Sequence, residues 1–169
     1  MDLELDQHLT VVTGGASGIG RAIAETLLQE KCRVAIWDIT DQVSEVADAC
    51  CSEQGAEARG FLVDVTKMDS LSLALKETFR QQGAVDHLVH CAAVGSGKFG
   101  FPFTNVQPED WSRVLDINVM GMVNVTHAIG PSMIDQGHGS MVFLSSVAGQ
   151  IGSQTDPPYS ASKAANINY

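Results

Sequence analysis

The chain has 169 residues, 44% of them hydrophobic and 18% charged, the composition of one globular domain rather than of a disordered segment. Twenty acidic residues stand against 10 basic ones, and the formal net charge of −10 with no basic run to offset it excludes nucleic acid and anionic membrane as partners. No apolar stretch approaches the roughly 18 residues of a membrane span, and Met1 to Asp6 is acidic where a secretory leader is basic. The four cysteines have neither metal-site nor disulfide spacing, which predicts a reduced, cytoplasmic setting. The five histidines are scattered along the chain and read as core or surface residues, so no metal site is expected.

Taken in order, Leu9 to Val12 reads as a buried strand. The turn Thr13-Gly14-Gly15-Ala16-Ser17-Gly18-Ile19-Gly20 follows it. The turn opens into a helix with apolar positions 19, 23, 24, 27 and 28. A second strand runs from Arg33 to Asp38. Residues 42–54 have Val43, Val46, Ala47 and Cys50 on one helical face, with Gly55 after the end. A third strand is predicted from Ala58 to Val65, and a helix from Lys67 to Gln82 with Met68, Leu71, Leu75 and Phe79 in its stripe. Val85 to Cys91 is a fourth strand, and residues 95–106 are a loop. Pro108 opens a long helix to about Asp135, bent near Gly130-Pro131 and apolar on more than one face, as if packed on both a sheet and a partner subunit. Ser140 to Ser145 is a fifth strand, residues 148–158 a loop, and a last helix starts near Tyr159. Continuous apolar strands alternating with helices of ten or more residues predict an α/β fold, a doubly wound parallel sheet of Rossmann type. Residues 1–169 then form a single dinucleotide-binding domain.

In such a fold ligands bind beyond the carboxyl ends of the strands. The glycine-rich turn leaves unpaired N–H groups at the positive end of a helix dipole, a place for a phosphate or pyrophosphate, and it has no Cβ atoms to block the approach. Asp38 ends the second strand, 18 residues after Gly20, where a carboxylate accepts hydrogen bonds from the adenosine ribose. It would repel a 2′-phosphate, and no lysine or arginine lies at 14–20 or 39–40, so NAD is expected over NADP. Asp64 is placed to accept from an adenine amine. Tyr159 and Lys163 are four apart, on one face of a helix. A phenol is a weak acid–base catalyst at neutral pH, and an ammonium one turn away favours the phenolate. Ser146, at the mouth of the fifth strand, could hold a substrate oxygen. The loop Gly97 to Phe103, with three phenylalanines, could line the pocket mouth, though aromatic packing that pins the loop is the preferred reading.

These motifs, in this order and spacing, resemble those of the short-chain dehydrogenase/reductase family from Leu9 onward. The family's Thr-Gly-x-x-x-Gly-x-Gly is Thr13 to Gly20, its Asn-x-x-Gly is Asn118 with Gly121, its Ser-x-x-Gly is Ser146 with Gly149, and its Tyr-x-x-x-Lys is Tyr159 with Lys163. The resemblance implies hydride transfer between NAD and a secondary alcohol or ketone. Tyr159 would be general acid/base, Lys163 would tune it and bind the nicotinamide ribose, and Ser146 would polarise the carbonyl. Asn118, at a helix irregularity, would hold a water in a proton relay. The implied cofactor set is Gly14, Ser17, Gly18, Ile19, Gly20, Asp38, Asp64, Val65, Ala92, Tyr159 and Lys163, in a protein that forms a homodimer or homotetramer when full-length. Two departures stand out. Cys91-Ala92-Ala93 replaces the family's Asn-Ala-Gly, which removes the asparagine's paired backbone bonds and adds a methyl beside the cofactor path. The family also continues beyond the position of Tyr169, which predicts a domain truncated at its C-terminus. The competing expectations are a nucleotide-binding fragment or interaction module without turnover and, ranked below it, a sugar-nucleotide epimerase or dehydratase.

Overall fold

The computed structural model describes residues 4–54, 57–98, 100 and 102–169. Gly55, Phe99 and Phe101, read above as a helix stop and loop aromatics, lie outside the described residues, as do residues 1–3.

The five apolar runs form strands β1 (Leu9–Thr13), β2 (Arg33–Asp38), β3 (Ala58–Leu62), β4 (His87–His90) and β5 (Ser140–Phe143). All pair in parallel, in the order β3-β2-β1-β4-β5. The connections after β1 lead outward to β2 and β3, and the chain then crosses back to β4 and β5. The winding reverses between β1 and β4, the point at which such sheets open a crevice. Every residue of β1 is buried because helices cover both faces. On one face Leu9, Val11, Trp37 and Leu88 meet Leu71 and Ala74 of α3 (Met68–Gln82) and Val125, Ile129 and Met133 of α5 (Gly121–Gln136). On the other, Val12, Val34 and Ile36 meet Ala24 and Leu28 of α1 (Gly18–Gln29) and Val43, Ala47 and Cys50 of α2 (Val43–Gln54). Burying side chains of this size contributes roughly 1.5–3 kcal/mol each. The apolar stripes of the first three helices are therefore what docks them on the sheet.

Several boundaries differ from the sequence expectations. β3 stops at Leu62 rather than Val65, because β2 ends at Asp38 directly opposite Leu62. β4 and β5 are four residues each, although the Cys91 and Leu144 N–H groups still donate to Thr13 and His90. The expected single helix over 108–135 is three pieces: α4 (Pro108–Leu115), a π-helical turn (Asp116–Met120) and α5, which runs past Pro131 to Gln136. Gly137, at φ +75°, ends it in the left-handed region that glycine adopts without strain. Within the expected loop over 148–158 lies a one-turn helix, α6 (Ala148–Ile151). The last helix, α7 (Pro157–Asn168), begins two residues before Tyr159, since Pro157 and Pro158 suit a first helical turn that needs no N–H. Among the described residues no helix is long and apolar enough to cross a membrane, and no three potential metal ligands gather. No disulfide joins any of the four cysteines.

The histidines are less scattered in space than in sequence. His8 Nδ1 lies 3.0 Å from His87 Nε2, His87 Nδ1 lies 2.8 Å from Ser140 Oγ, and His138 Nε2 lies 3.1 Å from Asp86 Oδ1. They tie together the amino ends of β1, β4 and β5, the side of the sheet away from the crevice. His90 is different: it is 2% exposed, with Nδ1 2.9 Å from the Thr13 hydroxyl and Nε2 without a partner among the described residues. Burial, with the Lys163 ammonium nearby, pushes its pKa down from 6.5 to about 4. Between those two values the unfolded chain binds a proton that the folded chain refuses. The folded form therefore loses about 3 kcal/mol as pH falls from 6.5 towards 4, a loss absent above that window. Urea unfolding of wild type and His90→Asn at pH 7 and 4.5 checks this: the variant is expected to lose markedly less stability on acidification, and equal losses would contradict the assignment.

Candidate active site

The carboxyl ends of the strands border a crevice of about 780 Å³ lined by Gly14, Ser17, Gly18, Ile19, Gly20, Asp38, Asp64, Val65, Ala92, Ser146, Tyr159 and Lys163. Each of these was a sequence-level candidate, and residues up to 149 positions apart in the chain meet there because parallel strands all end on one side.

At the glycine turn, Gly14 and Gly18 have φ of +65° and +53°, which an L side chain adopts only with strain. A Cβ on Gly14 would also stand 2.9 Å from the Ala92 nitrogen, and one on Gly20 would collide with the Gly14 carbonyl. The turn thus packs closely against the chain just beyond β4, and α1 packs closely against the turn. Ser17 precedes α1, its side chain makes no cap hydrogen bond, and no acidic residue lies in the first turn. The leading N–H groups of α1 accordingly face the crevice without an intrahelical acceptor. Ile19, expected in the helix stripe, is 62% exposed and forms part of the crevice rim instead. Asp38 holds the turn from the other side. Its Oδ2 accepts from Ala16 N (3.0 Å) and its Oδ1 from Thr40 N (3.2 Å). Asp64 accepts from both the hydroxyl (2.6 Å) and the N–H (3.0 Å) of Thr66 and pairs with Lys67 (3.0 Å). The Thr66 hydroxyl above all, with its N–H and Lys67, holds Asp64 below the usual carboxylate range against the effect of burial.

At the opposite end Tyr159 and Lys163 project from α7. Lys163 is buried, and Nζ donates to Leu144 O at 2.6 Å and stands 5.8 Å from the Tyr159 ring centroid. Burial lowers its pKa, partly offset by Cys91. Ser146, half-buried, accepts from Ala148 N at 3.2 Å. Asn118 lies behind the crevice wall rather than in it and is fully buried. Its Oδ1 accepts from Val94 N and its Nδ2 donates to Val94 O, both at 2.8 Å, and Nδ2 also donates to Ser162 Oγ at 2.9 Å. The paired backbone bonds that Cys91 cannot make on its own strand are thus supplied to Val94 by Asn118.

Sequence reasoning missed the residues that hold α7 in place. Ser145 Oγ donates to Lys163 O at 2.8 Å, and Asp156 Oδ2 accepts from Ser96 N at 3.1 Å. Asp156 precedes a helix whose first two residues are prolines without N–H groups, which frees its carboxylate to reach the β4–α4 loop. The Asp-Pro-Pro sequence carried that signal. Arg113 of α4 and Ile117 of the π-helical turn also line the crevice and were not singled out.

The family model for the short chain dehydrogenase matches residues 8–169, and the chain belongs to that family. A sorbitol dehydrogenase from Cereibacter sphaeroides is 35% identical over 167 residues, covering 98% of this chain and 63% of that protein. The 2-(S)-hydroxypropyl-CoM dehydrogenase 3 of Xanthobacter autotrophicus is 33% identical over 171 residues, covering 99% of this chain and 65% of that protein. The crystal structure of an NAD+-bound xylitol dehydrogenase is similar with a TM-score of 0.90 at 32% identity, covering 98% of this chain and 63% of that one. This chain spans just under two-thirds of the length of these relatives.

The approach of α6 to α7 leaves no room for a side chain at Gly149, where a Cβ would stand 2.7 Å from the Lys163 carbonyl carbon. Gly149→Ala is therefore expected to cost about 1–3 kcal/mol in urea unfolding, since the neighbour is backbone and cannot turn aside. A cost below about 0.5 kcal/mol would show that α7 docks less rigidly than its geometry implies.

Proposed function

We propose that this chain carries the nucleotide-binding and catalytic part of an NAD-dependent dehydrogenase/reductase acting on a secondary alcohol or ketone. The observation that supports it most is the meeting of Ser146, Tyr159 and Lys163 with the Gly14–Gly20 turn and Asp38 in one crevice. The residues present fit a dinucleotide: the turn has glycines where a Cβ would fill the close approach to Ala92, and unpaired N–H groups face the space beside it. When bound, the nicotinamide accepts or donates the hydride. The chain's own residues supply position and proton chemistry. The α1 N-terminus and the glycine turn hold the pyrophosphate. Asp38 takes the adenosine ribose hydroxyls, and Asp64 Oδ2, shared only with exposed Lys67, is placed to meet the adenine amine. Ser146 holds the substrate oxygen by hydrogen bonding. Tyr159 gives that oxygen a proton during reduction and removes it during oxidation, with the Lys163 ammonium beside the phenolate it leaves. The NAD+-bound xylitol dehydrogenase supports the nicotinamide cofactor, and its name and that of the sorbitol dehydrogenase support an alcohol substrate.

For the whole protein we also propose a cytoplasmic location, in keeping with four cysteines outside any disulfide, and a homo-oligomer. Met120 and Ile134, 48% and 78% exposed on the α4–α5 rod, support the latter.

Tyr159→Phe is expected to lower kcat by about 100-fold or more for a secondary alcohol with NAD, while calorimetry shows unchanged NAD binding. Normal turnover by the variant would sink the assignment. Binding without turnover by the unaltered protein would favour a module that only holds nucleotide. Calorimetry also tests the choice of nucleotide. NAD is expected to bind about tenfold or more tightly than NADP, with the gap narrowing in Asp38→Ser, because the carboxylate repels a 2′-phosphate. Equal affinities would remove Asp38 as the selector.

A further inference from the structure

The π-helical turn changes the hydrogen bonding of the rod it interrupts. Across Asp116–Met120 bonds reach five residues on, with Gly121 N–H closing on Asp116 O, and a turn of this kind leaves a carbonyl out of the regular α ladder. Asn118 sits in its middle with no exposed surface. A buried carbonyl without a donor is costly. The donor comes from α7. Asn166, only 7% exposed, has one end of its amide against two carbonyl oxygens, Asn118 O at 3.0 Å and Ser162 O at 2.8 Å, and that end is assigned as the nitrogen because only a donor suits two acceptors. One turn earlier, Ser162 accepts from Asn118 Nδ2 at 2.9 Å and donates to Tyr159 O at 2.7 Å. Helix α7 therefore grips Asn118 twice, once by its side chain and once by its backbone.

We propose that Asn166 is a positioning residue for the candidate active site. By holding the Asn118 carbonyl it sets the register between α7, which carries Tyr159 and Lys163, and the π turn, and through the Asn118 amide it sets the Val94 segment of the crevice wall. Asn166 lies three residues beyond Lys163 and so on the same side of α7. A buried amide is a costly way to fill space, and these two carbonyls are what it finds there. Asn118, to which the resemblance gives a relay water, has its carbonyl met by a protein donor here. The turnover part of the test rests on the proposed function, and the exchange part does not.

The test compares Asn166→Val with Asn166→Thr, two side chains of one shape of which only threonine can donate. Hydrogen exchange is read at the Val94 N–H, with Leu88 in β4 as control. Asn166→Val is expected to speed Val94 exchange about tenfold or more with Leu88 unchanged, and Asn166→Thr to fall between it and wild type. For turnover with NAD, Asn166→Val is expected to lower kcat about tenfold or more with KM for NAD within about threefold of wild type. Equal exchange in both variants would overturn the proposal, as would acceleration spread evenly over β4 and α7. Should wild type turn over no alcohol, the proposed function fails while the exchange result still decides the role of Asn166.

Discussion

One buried amide holds the two halves of the crevice together. Asn118 binds both backbone atoms of Val94, just beyond β4, and a hydroxyl of α7, so its polar atoms are satisfied only while sheet, rod and last helix keep their places. Loosening any of the three would strand a polar group at zero exposure. Helix α7 depends on joints of this kind more than on apolar packing. Its hydrogen-bonded buried positions include Ser162, Lys163 and Asn166, and it is tied down further by Ser145, Leu144 O and Asp156. Helices α1 to α3 are the reverse case, with alanine, leucine, valine and cysteine pressed on the sheet. Apolar contacts are tolerant of direction, whereas hydrogen bonds fix it. A helix that has to aim a phenol and an ammonium into a crevice is better held by the second kind.

The nucleotide end achieves its precision through backbone. Gly14 and Gly20 allow β1, α1 and the end of β4 to approach more closely than any Cβ permits, and Asp38 braces the turn through Ala16 N. The same carboxylate lines the crevice, so one residue both shapes the turn and meets what binds beside it. Its engagement with Ala16 and Thr40 holds it in a single orientation before any ligand arrives.

Much of this was legible in the sequence because it follows from period and punctuation. The apolar runs located the five strands, the stripes of α1 to α3 much of their buried faces though not Ile19 or Met68, and the glycine turn, Asp38 and the tyrosine–lysine pair the crevice. What was not legible depends on contacts between distant segments. The π turn leaves no mark on the apolar pattern of 108–135, since the helix still buries Val114, Met122 and Val125, and only the resemblance, which put a helix irregularity at Asn118, pointed to it. Ile19 looked like a core position by spacing, and only the shape of the turn puts it at the rim. β3 ended early because its neighbour did, which no property of residues 63–65 announces. His8, His87 and His138 looked unrelated until parallel pairing brought the amino ends of β1, β4 and β5 side by side.

The central claim is that a nicotinamide nucleotide lies across this crevice, from Asp38 to Tyr159. Titration of the isotope-labelled protein with NAD, followed through backbone amide resonances, tests it most directly. The account requires shifts at Gly14 to Gly20, Asp38, Asp64 to Thr66, Ala92 to Val94, Ser146 and Tyr159, with the amino ends of the strands silent. No shift at millimolar NAD, or shifts confined to the α5–β5 groove around Met133 and Met141, would contradict it.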